Sequence, residues 1–258
     1  MILAVGPSGC GKSTAFYALL RDLNERTGRP VSIVTIEDPI EQSMPFAAQI
    51  SADRNRGLGF AEALRAVVRQ DPEVIMIGEI RDAETAKTAL EAALTGHRLL
   101  SSMHTLTAGE ALVRLRQMGA PPYVISSALA GVLNVRLVRL LCQACREGHP
   151  PTERELAPAP EAASWPEARV AEPVGCEDCL GSGHRGRIGT GEWLVPTSRT
   201  VLALQSAAPA SEVAASLDTS VPAREAVLEL VRSGRVAPSA MERLSGLTSL
   251  TGGERTVT

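Results

Sequence analysis

Apolar runs alternate with segments of helical apolar spacing in the first 120 residues of the chain. The runs are at 2–5, 31–36, 74–78 and 98–102, and the helical segments at 14–25, 60–70, 83–94 and 108–118. Because runs of this kind indicate strands buried on both faces, the order predicts an α/β fold. We expect a mostly parallel sheet of the RecA-like type, with helices on both faces.

The second half of the chain has a less regular pattern. Residues 121–142 have the spacing of one amphipathic helix, whereas 146–175 are rich in Pro, Ala and Glu, which predicts a loose excursion. A short strand is predicted at 188–195, and small helices separated by prolines are predicted over 197–246.

Composition narrows the class of protein. The 258 residues are 44% hydrophobic, enough for one large domain or one domain with an appendage. The net charge of −3 argues against a nucleic-acid-binding protein held by global charge. The sequence contains neither 18 consecutive apolar residues nor a signal peptide, so we expect a cytoplasmic location, at most peripheral to a membrane.

A glycine-rich motif follows the first apolar run and precedes a helical segment. We call it the phosphate loop; it consists of Gly6, Pro7, Ser8, Gly9, Cys10, Gly11, Lys12 and Ser13, followed by Thr14. Glycines allow backbone N–H groups to converge on phosphates, while the lysine reaches the β and γ oxygens and the serine hydroxyl ligates Mg²⁺. The alternative is a chance match in a glycine-rich turn. The strand–loop–helix context favours binding of ATP or GTP.

Carboxylates follow two of the predicted strands. Glu37 and Asp38 come after 31–36, and Glu79 comes after 74–78, where Gly78 takes the place of the more common Asp. Acids at strand ends are common on protein surfaces. Two of them downstream of a phosphate loop favour catalysis, because hydrolysis needs carboxylates for the metal and the water.

Two histidines flank the fourth predicted strand. His97 precedes it and His104 follows it. A single histidine is more often structural, but one at the ligand edge could sense the γ-phosphate through a hydrogen bond.

Four of the five cysteines form two CxxC pairs, Cys142 with Cys145 and Cys176 with Cys179. This spacing suits a tetrahedral, structural zinc site. Closing the intervening loop costs about 3 kcal/mol, whereas zinc–thiolate binding contributes roughly 10–16 kcal/mol. The alternative is one or two redox pairs.

These motifs together resemble the secretion ATPase superfamily, specifically the assembly ATPases of type II secretion and type IV pili. The resemblance covers about residues 2–245, and its segments are 6–14, 36–41, 64–82, 94–97, 104–105, 136–140, the cysteine pairs, and Gly186, Arg187, Gly189 and Glu192. The tetracysteine element resembles that of the extension ATPases rather than the retraction motors, which generally lack it.

The resemblance implies roles for the candidate residues. Lys12, Ser13 and Thr14 would contact phosphate and Mg²⁺, Glu37 would polarise the attacking water, and Glu79 would act at the metal. His97 and His104 would contact the nucleotide, and Arg81 joins the catalytic candidates. The implied cofactors are ATP, Mg²⁺ and Zn²⁺. The implied partners are further copies in a hexamer, an inner-membrane assembly platform protein and its cytoplasmic adaptor, with no nucleic acid.

The expected organisation is an ATPase core at 1–141, a zinc element at 142–187, a helical subdomain at 188–246 and a flexible tail at 247–258. The resemblance implies a preceding domain that supplies arginines to neighbouring subunits, and we expect the chain to lack that domain. Such arginines raise rates by about 10³–10⁵, so we expect slow hydrolysis by the chain alone. A nucleotide-binding scaffold or regulator is the alternative, and a small-molecule kinase is disfavoured because no lid-like arginine cluster is present.

Overall fold

The computed structural model describes residues 1–53, 57–165 and 169–244. They group into two compact units, one of Met1–Asn134 with Trp193–Ser220 and one of Val135–Glu192 with the described residues from Val221 onward. The boundaries expected at 141 and 187 stay a prediction. The tail expected at 247–258 lies outside the described residues.

The described residues contain ten strands. They are β1 Ile2–Val5, β2 Ile33–Glu37, β3 Ala48–Ser51, β4 Val74–Ile77, β5 Arg98–Met103, β6 Gly131–Leu141, β7 Glu147–His149, β8 Val170–Glu172, β9 His184–Val195 and β10 Asp218–Val221. In the first unit the strand order is β3-β2-β4-β5-β1-β6, and every neighbouring pair in this series is parallel. The prediction of an α/β fold with a mostly parallel sheet is confirmed.

Helices flank this sheet, and most lie where the apolar spacing predicts them. The helices are α1 Lys12–Arg26, α2 Phe60–Val67, α3 Ala83–Leu94, α4 Ala108–Gln117, α5 Pro122–Ala128, α6 Glu153–Leu156, α7 Ser198–Gln205, α8 Ala210–Ala215 and α9 Ala223–Arg232. Side-chain caps begin several of them, including α3 and α4. Asp82 accepts from the N–H of Thr85 at the start of α3, and Thr107 accepts from the N–H of Glu110 at the start of α4.

The core of the first unit is mainly aliphatic, because only 3% of the residues in the chain are aromatic. Leu3, Val5, Ile36, Ile75 and Ile77 come from three strands of the sheet, β1, β2 and β4, and are fully buried. Burying each such side chain contributes about 1.5–3 kcal/mol. The loops at the carboxyl edge of the sheet therefore follow strands that are anchored in a buried core.

The prediction of one helix over 121–142 is wrong. Helix α5 ends at Ala128, and β6 begins at Gly131 and pairs in parallel with β1, with Ile2 opposite Gly131. A side chain at Gly131 would meet the ring of Trp193 at 2.3 Å, so only glycine fits there. Residues 131–141 form a strand because they pair with β1, and the local apolar spacing does not reveal this pairing.

Three further segments differ from expectation. Strand β3 was not predicted, β9 begins earlier than the predicted strand at 188, and β10 lies within the predicted helical region. The excursion at 146–175 is also more ordered than its composition suggests. Among its described residues it contains the antiparallel pair β7–β8, the helix α6 and a 3-10 helix at Pro160–Ser164.

The second unit has a small core of its own. Val138, Val170, Val227, Val231 and Val236 are buried together there. None of the described helices, in either unit, combines the length and hydropathy needed to cross a lipid bilayer.

Close packing of α4 against α8 gives the first testable prediction. A Cβ at Gly109 would lie 2.0 Å from the carbonyl oxygen of Ala210, whereas one at Gly189 would meet nothing within 4 Å. We expect Gly109→Ala to lower the free energy of unfolding by about 1–3 kcal/mol, because α8 must move away. Gly189→Ala is the matched control. Denaturant unfolding of both variants measures the difference, and equal stabilities would contradict this packing.

Candidate nucleotide site and tetracysteine cluster

The phosphate loop connects β1 to α1 in a conformation that depends on its glycines. Gly6, Gly9 and Gly11 have φ of 144°, 72° and 98°, values that side-chain-bearing residues rarely adopt. Gly11 is the N-cap of α1, so the loop leads directly into the positive end of the helix dipole. The N–H of Gly6 donates to the carbonyl of Thr105 at 2.8 Å, which ties the loop to the segment after β5.

Lys12 is held inside the loop. Its side-chain ammonium donates to the carbonyl oxygens of Gly6 at 2.8 Å and Pro7 at 3.2 Å, and the residue is only 7% exposed. These bonds place a buried positive charge at the centre of the phosphate loop. A phosphate oxygen bound in the loop would lie close to the positively charged ammonium group of Lys12.

Several backbone N–H groups of the phosphate loop are available to donate hydrogen bonds to phosphate oxygens. Among the described residues, no backbone hydrogen bond uses the N–H of Ser8, Gly9 or Gly11. Unpaired N–H groups in a glycine-rich turn at a helix N-terminus form an anion site. Ser13, at the start of α1, presents its hydroxyl in the same first turn, where Mg²⁺ is bound in such loops.

Four charged or polar side chains gather beside the loop. Glu79 lies 3.2 Å from the Nε2 of His104, whose Nδ1 lies 3.4 Å from the hydroxyl of Ser8. Arg81 donates to the other oxygen of Glu79 and approaches Asp38 at 3.9 Å. The structure thus brings the predicted residues Glu79, His104 and Arg81 together, next to the loop.

Glu79 is ionised at neutral pH in spite of its burial. Its side chain is 13% exposed. Burial raises the pKa of Glu79, but the hydrogen bond and charge of Arg81, with the nearby His104 and Lys12, outweigh this and hold the pKa below its usual value. A deprotonated carboxylate is the form that can accept a hydrogen bond from water or ligate Mg²⁺.

Glu37 lies at the end of β2 and is almost completely buried, at 3% exposure. Tyr17 donates to its Oε2, while Thr35 at 2.5 Å and Gln49 at 3.1 Å donate to its Oε1. A carboxylate has about four acceptor positions, so three are occupied by protein donors and one is left for water. Glu37 is consequently fixed in orientation more firmly than Glu79.

Tyr17 in turn depends on Glu37. Burial, then the hydrogen bond and negative charge of Glu37, raise the pKa of Tyr17 well above its usual value. The phenol therefore stays protonated and acts as a permanent donor to the carboxylate. Tyr17 lies on α1, the helix that begins at the phosphate loop, so the pair joins that helix to the end of β2.

His97 is not part of the cluster. It precedes β5, whereas His104 follows it, and six residues of extended strand span about 20 Å. Its ring Nδ1 lies near the carbonyl of Ala92 and the hydroxyl of Thr95, at 3.2 and 3.3 Å. Within one chain the structure therefore separates His97 from the phosphate loop, against the expectation that both histidines lie near the nucleotide.

The sequence analysis missed Tyr17, Thr35 and Gln49. Thr35 could have been found, because residues two apart on a strand face the same side as Glu37. Tyr17 and Gln49 are 20 and 12 residues away along the chain, and no local pattern marks them. Only the packing of α1 and β3 against β2 reveals them.

The four cysteines of the CxxC pairs meet in the second unit. All five cysteines are free thiols, and the four sulfur atoms of the cluster lie within 4.8 Å of one another. Three of the separations are 3.9, 3.8 and 3.8 Å, for Cys142–Cys176, Cys145–Cys179 and Cys176–Cys179. Zinc–sulfur bonds of about 2.3 Å in a tetrahedron require sulfur–sulfur edges of about 3.8 Å. The cluster therefore has the dimensions of a zinc–thiolate site.

Backbone donors surround these sulfur atoms. The N–H groups of Cys176 and Gly183 point at the sulfur of Cys179, both at 3.2 Å, and that of Gly175 points at Cys145 at 3.3 Å. Burial raises the pKa of Cys179, but these donors and the neighbouring thiols lower it to about 6. Burial raises the pKa of Cys145 to about 12. Hydrogen bonds from N–H groups favour the thiolate form of cysteine, which is the form that binds a metal.

Comparison with known proteins places this geometry in a family. The family model described as "Type II/IV secretion system protein" matches residues 1–243. The chain is 47% identical over 208 residues to type II secretion system protein E of Aeromonas hydrophila, covering 80% of this chain and 40% of that protein. It is 42% identical over 217 residues to the type IV pilus assembly ATPase PilB of Thermus thermophilus, covering 83% and 24%. The chain thus spans less than half the length of these relatives.

Solved structures agree on the fold. The ATPase DotB of Legionella pneumophila superposes with a TM-score of 0.62 at 22% identity, over 95% of this chain and 59% of that one. The pilus retraction motor PilT with bound ADP gives 0.54 at 25% identity, over 94% and 63%.

The bond between Tyr17 and Glu37 gives a second prediction. Tyr17→Phe removes a donor from a buried carboxylate, so we expect the free energy of unfolding to fall by about 1.5–3 kcal/mol. The control is Tyr123→Phe, because Tyr123 is 64% exposed. Loss of its hydroxyl group should lower the free energy of unfolding by less than about 0.5 kcal/mol. Denaturant unfolding at neutral pH measures both. Similar losses in the two variants would contradict the structural role of the pair.

Proposed function

The chain belongs to the type II/IV secretion system protein family, and we propose that it is the ATP-hydrolysing part of a motor for type II protein secretion or type IV pilus assembly. One observation carries the proposal: the ionised Glu79 lies at the same sheet edge as the buried Lys12 of the phosphate loop. The names of the relatives, which include protein E and PilB, support the choice of secretion or pilus assembly.

We infer the following division of roles. The loop N–H groups and Lys12 bind the β- and γ-phosphates of ATP, and Ser13 with Glu79 hold the Mg²⁺ that offsets their charge. His104 lies between Ser8 and Glu79 and reports on the γ-phosphate through a hydrogen bond. Arg81 keeps Glu79 ionised and oriented.

Glu37 is the candidate for polarising the attacking water. Tyr17, Thr35 and Gln49 use three of its acceptor positions, and the fourth would accept a hydrogen bond from the attacking water. The three donors would then pre-organise the carboxylate, so that no reorientation is needed during hydrolysis.

The wider assembly is proposed from the family. We infer a homo-oligomer, a hexamer, located in the cytoplasm and peripheral to the inner membrane, which contacts an assembly platform protein and its cytoplasmic adaptor. The tetracysteine cluster supports an extension or secretion motor, because retraction motors generally lack it. We further infer that the cluster binds one structural Zn²⁺, since four thiolates leave no position for water.

Substitution of Glu79 tests the proposed hydrolysis. We expect Glu79→Gln to keep ATP binding, measured by calorimetry, while steady-state ATP hydrolysis falls about 100-fold or more, because the negative charge beside the metal and water is lost. Glu91→Gln, an exposed change on α3, is the matched control and should hydrolyse ATP at the wild-type rate. If wild type and Glu79→Gln are equally inert while both bind ATP, the chain is a nucleotide-binding scaffold or regulator and the motor proposal fails.

Removal of a thiolate tests the zinc site. We expect Cys176→Ser to lose the zinc of this cluster and to lower the midpoint of thermal unfolding, because the metal joins the two ends of the segment between the CxxC pairs. Cys10→Ser is the control, since Cys10 lies in the phosphate loop, outside the cluster. Metal analysis of reduced protein gives the zinc content. Equal zinc in wild type and Cys176→Ser would contradict the assignment.

A further inference from the structure

A second group of metal-ligating side chains lies within the segment between the two CxxC pairs. It consists of His149 at the end of β7, Glu155 on α6 and Glu172 at the end of β8. One nitrogen of His149 and one oxygen of each carboxylate lie within 4.8 Å of one another. No part of the proposed ATPase mechanism uses these residues.

The ring of His149 is oriented as in a metal ligand. Its Nδ1 lies 2.8 Å from the carbonyl oxygen of Pro150, which can only accept, so Nδ1 carries a proton. Its Nε2 is buried from solvent and makes no hydrogen bond. Metal-binding histidines typically donate one ring N–H to a carbonyl or carboxylate and turn the other nitrogen to the metal.

The two carboxylates face that nitrogen at suitable distances. Glu155 Oε1 lies 3.4 Å and Glu172 Oε2 lies 3.9 Å from Nε2 of His149. Metal bonds of about 2.0–2.1 Å in a tetrahedron require ligand–ligand edges of about 3.3 Å. The first edge, between His149 and Glu155, therefore has about the required length already, and the second, between His149 and Glu172, needs to shorten by about 0.6 Å.

Hydrogen bonds hold Glu155 in this position. The backbone N–H and the hydroxyl of Thr152 both donate to its Oε2, at 3.0 and 2.7 Å, in the capping box that begins α6. Its other oxygen, Oε1, is left facing the histidine. A fixed carboxylate of this kind loses little conformational entropy when it binds an ion.

The negative charge of the two carboxylates in this group favours the binding of a cation. In the described ranges, neither Glu155 nor Glu172 forms an ion pair with an arginine or lysine. A neutral imidazole with two carboxylates carries a charge of −2, which one divalent ion balances. An imidazolium would balance only half of it, and its Nε2–H would have no well-directed acceptor among the described residues.

We propose that His149, Glu155 and Glu172 bind one divalent transition-metal ion of the zinc class. Imidazole with carboxylate suits zinc, whereas Mg²⁺ and Ca²⁺ prefer ligands that are all oxygen. Three protein ligands leave one position for water. The ion would tie α6 to the β7–β8 pair, so that the segment between the CxxC pairs is held in its middle as well as at its ends.

Zinc counting on the full chain tests this proposal. Wild-type and variant proteins are equilibrated with Zn²⁺ at buffered free concentration and weighed by native mass spectrometry. We expect His149→Ala to bind one zinc fewer than wild type and Glu172→Gln to bind that zinc at least about tenfold more weakly. Glu153→Gln is the matched control, because Glu153 is exposed on the same turn of α6 and lies outside the group.

The comparison does not depend on the tetracysteine cluster or on ATP hydrolysis, because it counts a difference between variants. Equal zinc in wild type and His149→Ala would overturn the proposal. So would a loss of thermal stability in both His149→Ala and Glu172→Gln that does not depend on added Zn²⁺, since that result identifies an imidazolium ion pair only. An excess of Mg²⁺ should leave the zinc count unchanged, and displacement by Mg²⁺ would also contradict the assignment.

Discussion

The parallel register of the central strands is the constraint on which the candidate site depends. Val5 lies opposite Met103, and Ile36 lies opposite Ile77, so β1, β2, β4 and β5 end at one edge. The residues that follow these ends are the phosphate loop, Asp38, Glu79 and His104, and three sequence-distant segments therefore meet the loop. A shift of one strand by a single residue would turn its side chains to the other face and disperse the site.

Two acids at this edge are held in different ways. Glu37 is buried and bound by three neutral donors, whereas Glu79 lies in a partly open position beside Arg81, His104 and Lys12. The three donors fix the orientation of the Glu37 carboxylate, whereas Arg81, with His104 and Lys12, keeps the Glu79 carboxylate ionised. This division agrees with a water-positioning role for Glu37 and a metal-side role for Glu79.

The second unit combines a small apolar core with two clusters of side chains that are of metal-ligating type. Its buried residues are mainly valines and alanines, so its apolar core is small. The four thiols and the group around His149 lie in the same unit, and the segment between the CxxC pairs contributes Ala159, Ala162 and Val170 to its core. Metal binding stabilises small units of this kind by roughly 10–16 kcal/mol per structural zinc, which outweighs the entropy of closing their loops.

The sequence by itself determined the α/β class, the phosphate loop and the two cysteine pairs, because these depend on short-range spacing and on residue chemistry. It did not determine that 131–141 is a strand, because pairing with β1 outweighs the local helical spacing. Nor did it determine that Tyr17 and Gln49 bind Glu37, that Arg81 binds Glu79, or that His97 lies away from the loop. Those facts were decided by the tertiary structure, because contacts between distant segments follow from how helices and strands pack and leave no periodic trace in the chain.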